Sequence, residues 1–379
     1  MKKIALILSI FFILFCANNV FAQKTATEFF DKGKALFDKA KYTEAVISFD
    51  KACELDRNNE DAFYHAGWCY NELEKFDKAI DKLTKATKLK SDYYEAYNEL
   101  GYAYKQMGKN EEAITALKKA LEIKDDYAVA YKQLGDVYQT INKFDEAIDA
   151  FKSAYKNDDT YGLAAYNVGY LYNEKEQYEN AAEWLNKAKA IDETEDIYTE
   201  LGFANYQLNK NDEAIKAYKK AIEINPKSTI AYKDLGDVYK NNFKPAKVDE
   251  AIKLYLKALT TNPKAANTYY ALGWCYAEKE KYDDAIKMIK KAIELNPNYE
   301  LAYDELCYIY YTQKKYKESM ATAKIAITKP FKINEFKYYM GLSYVGLKDK
   351  VNATKIYNEL KPIDDKLAGE LMDKINEKK

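Results

Sequence analysis

Residues 94–127 read YEAYNELGYAYKQMGKNEEAITALKKALEIKDDY, a stretch that contains two amphipathic helical patterns separated by a turn. The first pattern places apolar and small residues on one face at the spacing i, i+3, i+4 and i+7, namely Tyr97, Leu100, Gly101 and Tyr104. Gly108 interrupts this pattern, and a second helical face follows on Ala113, Leu117 and Ala120. Because Gly101 and Ala113 are small, we expect the two helix backbones to approach closely while larger side chains fill the remaining volume.

The same pattern recurs along the chain with a step of about 34 residues. The glycines that carry it are Gly33, Gly67, Gly101, Gly135, Gly169, Gly202, Gly236, Gly273 and Gly341, and Cys307 takes the equivalent place in one unit. In most units two alanines follow this glycine at a fixed spacing, as Ala113 and Ala120 follow Gly101. One helix pair cannot bury its apolar face alone, so the units are expected to stack on one another.

Length and composition exclude several classes of protein. The chain has 379 residues, 59 basic and 60 acidic side chains, and one histidine, His65. A single histidine excludes any metal site that needs two histidine ligands, and a near-zero net charge provides no basic field for nucleic acid. The phosphate-binding, zinc-protease and serine-hydrolase motifs are absent. We therefore expect no enzyme activity, with no catalytic residue, cofactor or metal.

These repeats resemble the tetratricopeptide repeat (TPR) family. Residues 195–228 match the family pattern at seven positions, namely Tyr198, Leu201, Gly202, Ala214, Tyr218, Ala221 and Pro226. The resemblance implies an all-α fold, a right-handed superhelix built from antiparallel helix pairs (an α-solenoid). Ten repeats are predicted within residues 23–366, starting near 26, 60, 94, 128, 162, 195, 229, 266, 300 and 334. A capping helix and tail are predicted at 362–379.

Three repeats depart from the family pattern. The seventh carries extra residues around Asn242–Val248, including Pro245, which predicts a longer loop between its helices. The ninth has Cys307 in place of glycine and Ser319 in place of the first alanine. The tenth has Lys337 and Leu360 at positions 4 and 27, as expected for a fraying terminal repeat.

The segment 1–22 has the composition of a secretory signal peptide. Lys2 and Lys3 precede an apolar run, and Val20-Phe21-Ala22 supplies a cleavage site before Gln23. Lipidation of Cys16 is the less favoured alternative, because the bulky Phe15 precedes it. We expect an exported protein, periplasmic or extracellular, with no transmembrane segment in the mature chain.

A longer period of three repeats lies under the 34-residue period. Units two, five and eight share the pattern of Gly67-Trp68-Cys69-Tyr70, which recurs as Gly273-Trp274-Cys275-Tyr276. Position 6 is glutamate in units three, six and nine, at Glu99, Glu200 and Glu305. This period is either a trace of duplication or the spacing of a repeated binding surface.

The resemblance also implies where a ligand would bind, because positions 2, 5, 9 and 12 of the first helices line the concave groove of TPR solenoids. Positions 5 and 9 are rich in aromatic residues, with Lys/Asp pairs in units four and seven. The predicted groove residues are Tyr64, Trp68, Tyr102, Lys132, Asp136, Tyr166, Tyr170, Phe203, Lys233, Asp237, Tyr270, Trp274 and Tyr308. Exposed aromatic patches commonly mark binding surfaces, whereas mutual packing between neighbouring first helices is the structural alternative.

Two groove chemistries of the family are excluded by residue type. The carboxylate clamp needs asparagine at position 9, where Asp136 and Asp237 would repel a carboxylate. The asparagine ladder needs asparagine at position 6 throughout, and only Asn167 fits. The groove suits an extended peptide with apolar and basic side chains, so we predict a scaffold that binds protein or peptide partners in an envelope complex. The alternative is a carbohydrate- or peptidoglycan-binding module that uses the same aromatic residues.

Four cysteines remain after removal of the signal peptide, namely Cys53, Cys69, Cys275 and Cys307. They occupy predicted core positions, so buried free thiols are expected, although export permits a Cys53–Cys69 disulfide. His65 is expected to be a solvated residue at the rim of the groove. The sequence does not define the partner or the oligomeric state.

Overall fold

The computed structural model describes residues 25–242 and 247–377, and this part of the chain is helical with connecting turns. It divides into two compact units, Met1–Asp192 and Glu193–Lys379. The predicted signal peptide (1–22) and Pro245 of the predicted long loop lie outside the described residues.

The first unit contains five helix pairs. Its helices are α1 (25–37), α2 (Tyr42–Leu55), α3 (Glu60–Glu72), α4 (Phe76–Leu89), α5 (Tyr94–Gln106), α6 (Asn110–Ile123), α7 (Ala128–Thr140), α8 (Phe144–Asn157), α9 (Gly162–Glu174) and α10 (Tyr178–Ile191). The odd-numbered helices are the first helices of the repeats, and the even-numbered helices are the second ones.

The second unit contains five further pairs and a last single helix. Its helices are α11 (Glu195–Gln207), α12 (Asn211–Ile224), α13 (Thr229–Asn241), α14 (Val248–Thr261), α15 (Ala266–Glu278), α16 (Tyr282–Leu295), α17 (Glu300–Thr312), α18 (Tyr316–Ala326), α19 (Ile333–Gly346), α20 (Lys350–Leu360) and α21 (Asp365–Asn376). In the described part of each unit, the pairs follow one another as expected for a solenoid of helix pairs, and the predicted all-α fold class is confirmed.

The close approach predicted at Gly101 is confirmed. A Cβ atom added there would lie 2.5 Å from Leu117 Cγ and 3.3 Å from the Ala113 carbonyl oxygen. Leu117 and Ala113 are fully buried. The contact therefore leaves no room for a side chain at this position of α5.

Gly101→Ala is expected to lower the free energy of unfolding by about 1–3 kcal/mol, because the added methyl group overpacks the α5–α6 contact. Gly369→Ala is the matched control, since Gly369 lies in α21 with no atom within 4 Å of an added Cβ. Alanine should stabilise that helix by up to ~1 kcal/mol. Urea unfolding followed by circular dichroism measures both changes, and equal effects of the two substitutions would contradict the packing account.

The turns inside the helix pairs share one backbone feature. At the same position of nine repeats, one described residue adopts positive φ: Ala40, Glu74, Gly108, Asn142, Glu176, Asn209, Glu280, Lys314 and Lys348. Only Gly108 is glycine, the residue that adopts this conformation without strain. The turn is therefore set by the repeat geometry and not by a glycine in each copy.

Polar contacts join neighbouring pairs in the first unit. The Asp50 carboxylate on α2 accepts a hydrogen bond from the Tyr70 hydroxyl on α3 at 2.6 Å. Its other oxygen lies 2.7 Å from Lys82 Nζ on α4. One carboxylate thus connects three successive helices at a partly buried position.

In the ninth repeat, two hydrogen bonds join the helices at the place where the family pattern has glycine and alanine. The Cys307 thiol donates to the Ser319 carbonyl at 3.7 Å, and the Ser319 hydroxyl donates to the Cys307 carbonyl at 3.0 Å. Both residues are buried. The two departures from the family pattern therefore compensate one another across α17 and α18.

The last helix covers the end of the second unit. Ala368 and Leu371 of α21 are fully buried, whereas Asp365, Glu370 and Lys374 are exposed. A Cβ atom added at Gly341 of α19 would meet the Leu371 side chain. No helix in residues 25–242 and 247–377 is both long enough and apolar enough to cross a membrane.

The four cysteines of the described chain are buried and unpaired, Cys53 and Cys69 included. Burial raises the pKa of the Cys53, Cys69 and Cys275 thiols to about 12. Burial also raises the pKa of Cys307.

At pH 8 the native protein is therefore expected to react with a thiol reagent about 1,000-fold more slowly than a free cysteine, because only the thiolate reacts and a pKa near 12 leaves about 1,000-fold less of it than a pKa of 9.0. After unfolding in denaturant without reductant, the chain that starts at Gln23 should release four thiols. A count of two, or rapid reaction of the native protein, would contradict this expectation.

Candidate functional site

The predicted groove residues lie on the first helices, at positions 5 and 9 of each repeat. We define the inner face as the surface formed by positions 2, 5, 9 and 12 of the first helices, described separately in each unit. In the first unit, Lys105 at position 12 and Lys132 at position 5 both contact Asp136 at position 9. These contacts show that the three positions share one face across α5 and α7.

Most of the predicted aromatic groove residues are only partly exposed. Tyr64 is buried, with 8% of its surface exposed, and Tyr308 is 50% exposed. The other predicted aromatic residues are half-buried, namely Trp68, Tyr102, Tyr166, Tyr170, Phe203, Tyr270 and Trp274.

Ring contacts explain this burial. The Tyr64 ring lies 4.8 Å from the ring of Tyr93, which precedes the next first helix. In the second unit the ring of Tyr270 lies 5.2 Å from that of Tyr299, which occupies the equivalent place. The side chain at position 5 therefore packs against the residue that begins the following repeat, as the structural alternative in the sequence analysis proposed.

The two tryptophans are also held by neighbours. Trp68 lies 4.8 Å from the ring of Phe37 and 5.8 Å from that of Tyr64. Lys240 Nζ lies 5.1 Å from the centre of the Trp274 ring, within cation–π range. Both tryptophans combine partial exposure with a fixed position, which is suitable for contact with a ligand.

Within each of the two Lys/Asp pairs, the positive and negative charges neutralise one another. Lys132 Nζ lies 2.8 Å from Asp136 Oδ2, and Lys105 Nζ lies 3.0 Å from the same oxygen. In the second unit Lys233 Nζ lies 2.9 Å from both Asp234 and Asp237. Burial opposes the charge of Lys233, but the two carboxylates outweigh it and raise its pKa. These pairs therefore form polar parts of the wall and do not present single charges.

Several exposed aliphatic side chains of the inner face lie at position 2 and are not among the predicted groove residues. Val129 on α7 is 41% exposed and Leu163 on α9 is 46% exposed, both in the first unit. In the second unit Ile230 is 60% exposed and Leu301 is 55% exposed. Position 2 belongs to the groove in the family pattern, so comparing this position between repeats would have revealed them.

Two neighbouring carboxyl groups lie on α17 in the second unit. Burial raises the pKa of Asp304 to about 6, and the charges of Glu335 and Glu300 add to the effect. Burial raises the pKa of Glu305 to about 7, with Asp304 and Glu278 adding and Lys240 opposing.

His65 is partly exposed and packs against three phenylalanine rings, so it is less solvated than expected. Its ring centre lies 5.3 Å from that of Phe49 and 5.6 Å from those of Phe30 and Phe37. Nδ1 lies 2.8 Å from the Asp61 carbonyl oxygen. Burial lowers the pKa of His65, because the aromatic surroundings disfavour the charged ring. In the part of the chain that the structure describes, no group of three or more His, Cys, Asp or Glu side chains could hold a metal ion.

Stacked antiparallel helix pairs of about 34 residues define the class of α-solenoid repeat proteins. Five tetratricopeptide repeat models match the chain, at residues 29–59, 69–108, 92–160, 132–196, 204–242 and 266–299. Together these matches cover more than half of the residues. The chain belongs to the tetratricopeptide repeat family.

Similar solved structures include YrrB, a TPR protein with an unusual peptide-binding site, at 27% identity and a TM-score of 0.43 over 50% of this chain and 96% of YrrB. MamA is 32% identical over 43% of this chain and 95% of its own, with a TM-score of 0.41. The C-terminal part of a TPR protein from Cytophaga hutchinsonii is 17% identical, with a TM-score of 0.55 over 64% of this chain and 99% of its own. No curated protein matches the chain.

Proposed function

We propose that this chain is a non-catalytic scaffold that binds extended segments of partner proteins on its inner face and supports assembly of a complex in the cell envelope. Its membership of the tetratricopeptide repeat family supports a role in protein interaction. The predicted aromatic groove residues supply half-buried surfaces beside the more exposed aliphatic ones.

The position-2 aliphatic residues are the observation that carries this proposal. A single exposed aliphatic side chain is ordinary on a protein surface. Val129 and Leu163, however, occupy the same position in consecutive repeats of the first unit, where they are 41% and 46% exposed. A solenoid does not need the exposed part of these side chains for its core, and a ligand that covered it would gain about 0.6–1.4 kcal/mol for each.

Selection from a phage-displayed library of 12-residue peptides tests the proposal. The chain from Gln23 onward, immobilised through its C-terminus, is expected to enrich peptides with apolar side chains that bind in solution with micromolar affinity. No enrichment over a bare surface would contradict peptide binding. Retention on insoluble peptidoglycan in the absence of any peptide would instead favour the carbohydrate alternative.

We also propose that residues 1–22 direct export and are removed. The charged, apolar and small-residue segments in that order support this assignment. N-terminal sequencing of the protein recovered from the envelope or medium should begin at Gln23. An N-terminus at Met1, with the protein retained in the cytoplasm, would contradict it.

A further inference from the structure

A buried polar cluster lies where α3 meets α5 in the first unit, formed by Asn71, Asn98 and Glu99, and we call it the Glu99 cluster. Asn71 is 2% exposed and Asn98 is 1% exposed. Asn71 Nδ2 donates to Glu99 Oε2 at 2.9 Å and to the Glu99 carbonyl oxygen at 3.1 Å. Asn98 Nδ2 lies 3.4 Å from Glu99 Oε1. Both amides therefore direct their N–H groups toward Glu99.

This arrangement leaves an excess of hydrogen-bond acceptors. The side-chain oxygens of Asn71 and Asn98 are buried, and neither has a donor among the described residues. Buried polar atoms normally have partners, and an unsatisfied one costs about 1–3 kcal/mol. A purely structural Asn71–Glu99 hydrogen bond would not explain why two amide oxygens remain without donors beside the same carboxylate.

The electrostatic surroundings also lack a positive charge. None of the ion pairs in the described part of the chain includes Glu99, although the full chain has 59 basic residues. Burial raises the pKa of Glu99, and the charge of Glu72 adds to this, while the amides of Asn71 and Asn98 oppose it. A cation placed here would stabilise the carboxylate and supply the missing donors.

Two tyrosines lie near the cluster, Tyr64 on α3 and Tyr127, which precedes α7. Burial raises the pKa of Tyr64, and burial raises the pKa of Tyr127 to about 12; in both cases the charge of Glu99 is the second cause. These effects place both phenols near the carboxylate. Glu99 itself is only partly buried, so a ligand can reach it from solvent. The apolar stem of a long side chain would lie along the tyrosines while its charged end meets the oxygens.

We propose that the Glu99 cluster binds the cationic end of one lysine or arginine side chain of the peptide segment held on the inner face. An ammonium group offers three N–H donors and a guanidinium group five, which suits the two amide oxygens and the carboxylate. This inference rests on the proposed function and adds a position at which the ligand is selected by charge.

The equivalent place in the ninth repeat, in the second unit, lacks both amide side chains. Position 6 is again glutamate, Glu305, but the places of Asn71 and Asn98 are taken by Ala277 and Asp304.

The peptides selected on the wild-type chain provide the probe. They are expected to share a lysine or arginine at one aligned position, and replacing that residue by norleucine should weaken binding at least 10-fold, as measured by calorimetry. The Glu99→Gln variant should bind the unmodified selected peptide at least 10-fold more weakly than the wild-type chain does. In this variant, replacing the basic residue of the peptide by norleucine should change the affinity less than 3-fold. Glu111→Gln, an exposed carboxylate-to-amide change on α6, is the matched control and should behave as wild type.

The outcomes separate this inference from the proposed function. The cationic site would be overturned, with peptide binding left intact, if the enriched peptides shared no basic residue. The same would follow if norleucine weakened the affinity equally for the wild type and for Glu99→Gln. The absence of any enriched peptide would overturn the proposed function as well. If Glu99→Gln lowered the thermal unfolding midpoint, Asn98→Leu provides a second variant that removes one acceptor but keeps the volume, and it should weaken binding of the basic peptide only.

Discussion

Replacing Val129 and Leu163 together by aspartate is expected to weaken binding of a selected peptide about 10-fold or more. The two side chains are exposed at the same position of successive first helices. Because less than half of each side chain remains exposed, a bound segment that covers them gains about 0.6–1.4 kcal/mol for each, and this gain is lost in the variant. A loss of about 1.4 kcal/mol raises the dissociation constant by a factor of about 10. Fluorescence anisotropy with a labelled peptide measures the change.

The control variant carries Ile47→Asp and Leu89→Asp, which introduce the same charges on second helices of the same unit. Ile47 on α2 is 67% exposed and Leu89 on α4 is 36% exposed. Both double variants should unfold at nearly the wild-type midpoint, because exposed substitutions rarely change stability by more than about 0.5 kcal/mol each. Equal loss of peptide affinity in the two variants would show that added charge alone weakens binding and that the inner face has no special role.

Glu305→Gln is expected to stabilise the protein at pH 8 by an amount on the order of 2 kcal/mol, because burial raises the pKa of Glu305 from 4.5 to about 7. Ionising this carboxyl group therefore costs more in the folded than in the unfolded state. Its contribution to stability is complete below about pH 4.5 and is lost as the pH rises through 7. Partial exposure to solvent reduces the effect below the full value of the shift.

Urea unfolding between pH 5 and pH 8 measures this effect. The midpoint of the wild type should fall over that range, and Glu305→Gln should show a smaller fall. Charged groups that face the carboxyl are Asp304 on the same helix, Glu278 on α15 and Lys240 on α13. Glu318→Gln on α18, an exposed position, is the control and should follow the wild-type profile. A steeper fall in Glu305→Gln than in the wild type would reverse the assigned sign.

The helical architecture was predictable because each repeat contains, within its own sequence, the small and large residues that pack its two helices together. The spacing of Gly101, Ala113 and Leu117 is enough to predict a close helix pair, and an added Cβ at Gly101 would indeed lie 2.5 Å from Leu117. Repetition of this pattern then specifies the stack. The positive φ at Glu74 and its equivalents was not predictable, since most of these residues are not glycine.

The inner face was less predictable because its residues contact other repeats. The burial of Tyr64 depends on the ring of Tyr93, which lies at the junction with the next repeat along the chain. His65 is surrounded by three phenylalanine rings from α1 and α2, contacts that no spacing rule reveals. Pairing of Lys132 with Asp136, by contrast, follows from their separation by one helical turn.

Photo-crosslinking tests most directly whether ligands bind on the inner face. A benzophenone amino acid is placed at Leu163 in one variant and at Ile47 in another, two exposed aliphatic positions on a first and a second helix of the same unit. On irradiation with a selected peptide, the Leu163 variant is predicted to form a covalent adduct and the Ile47 variant to form none. Adduct formation at Ile47 with none at Leu163 would contradict the assignment of the inner face as the binding surface.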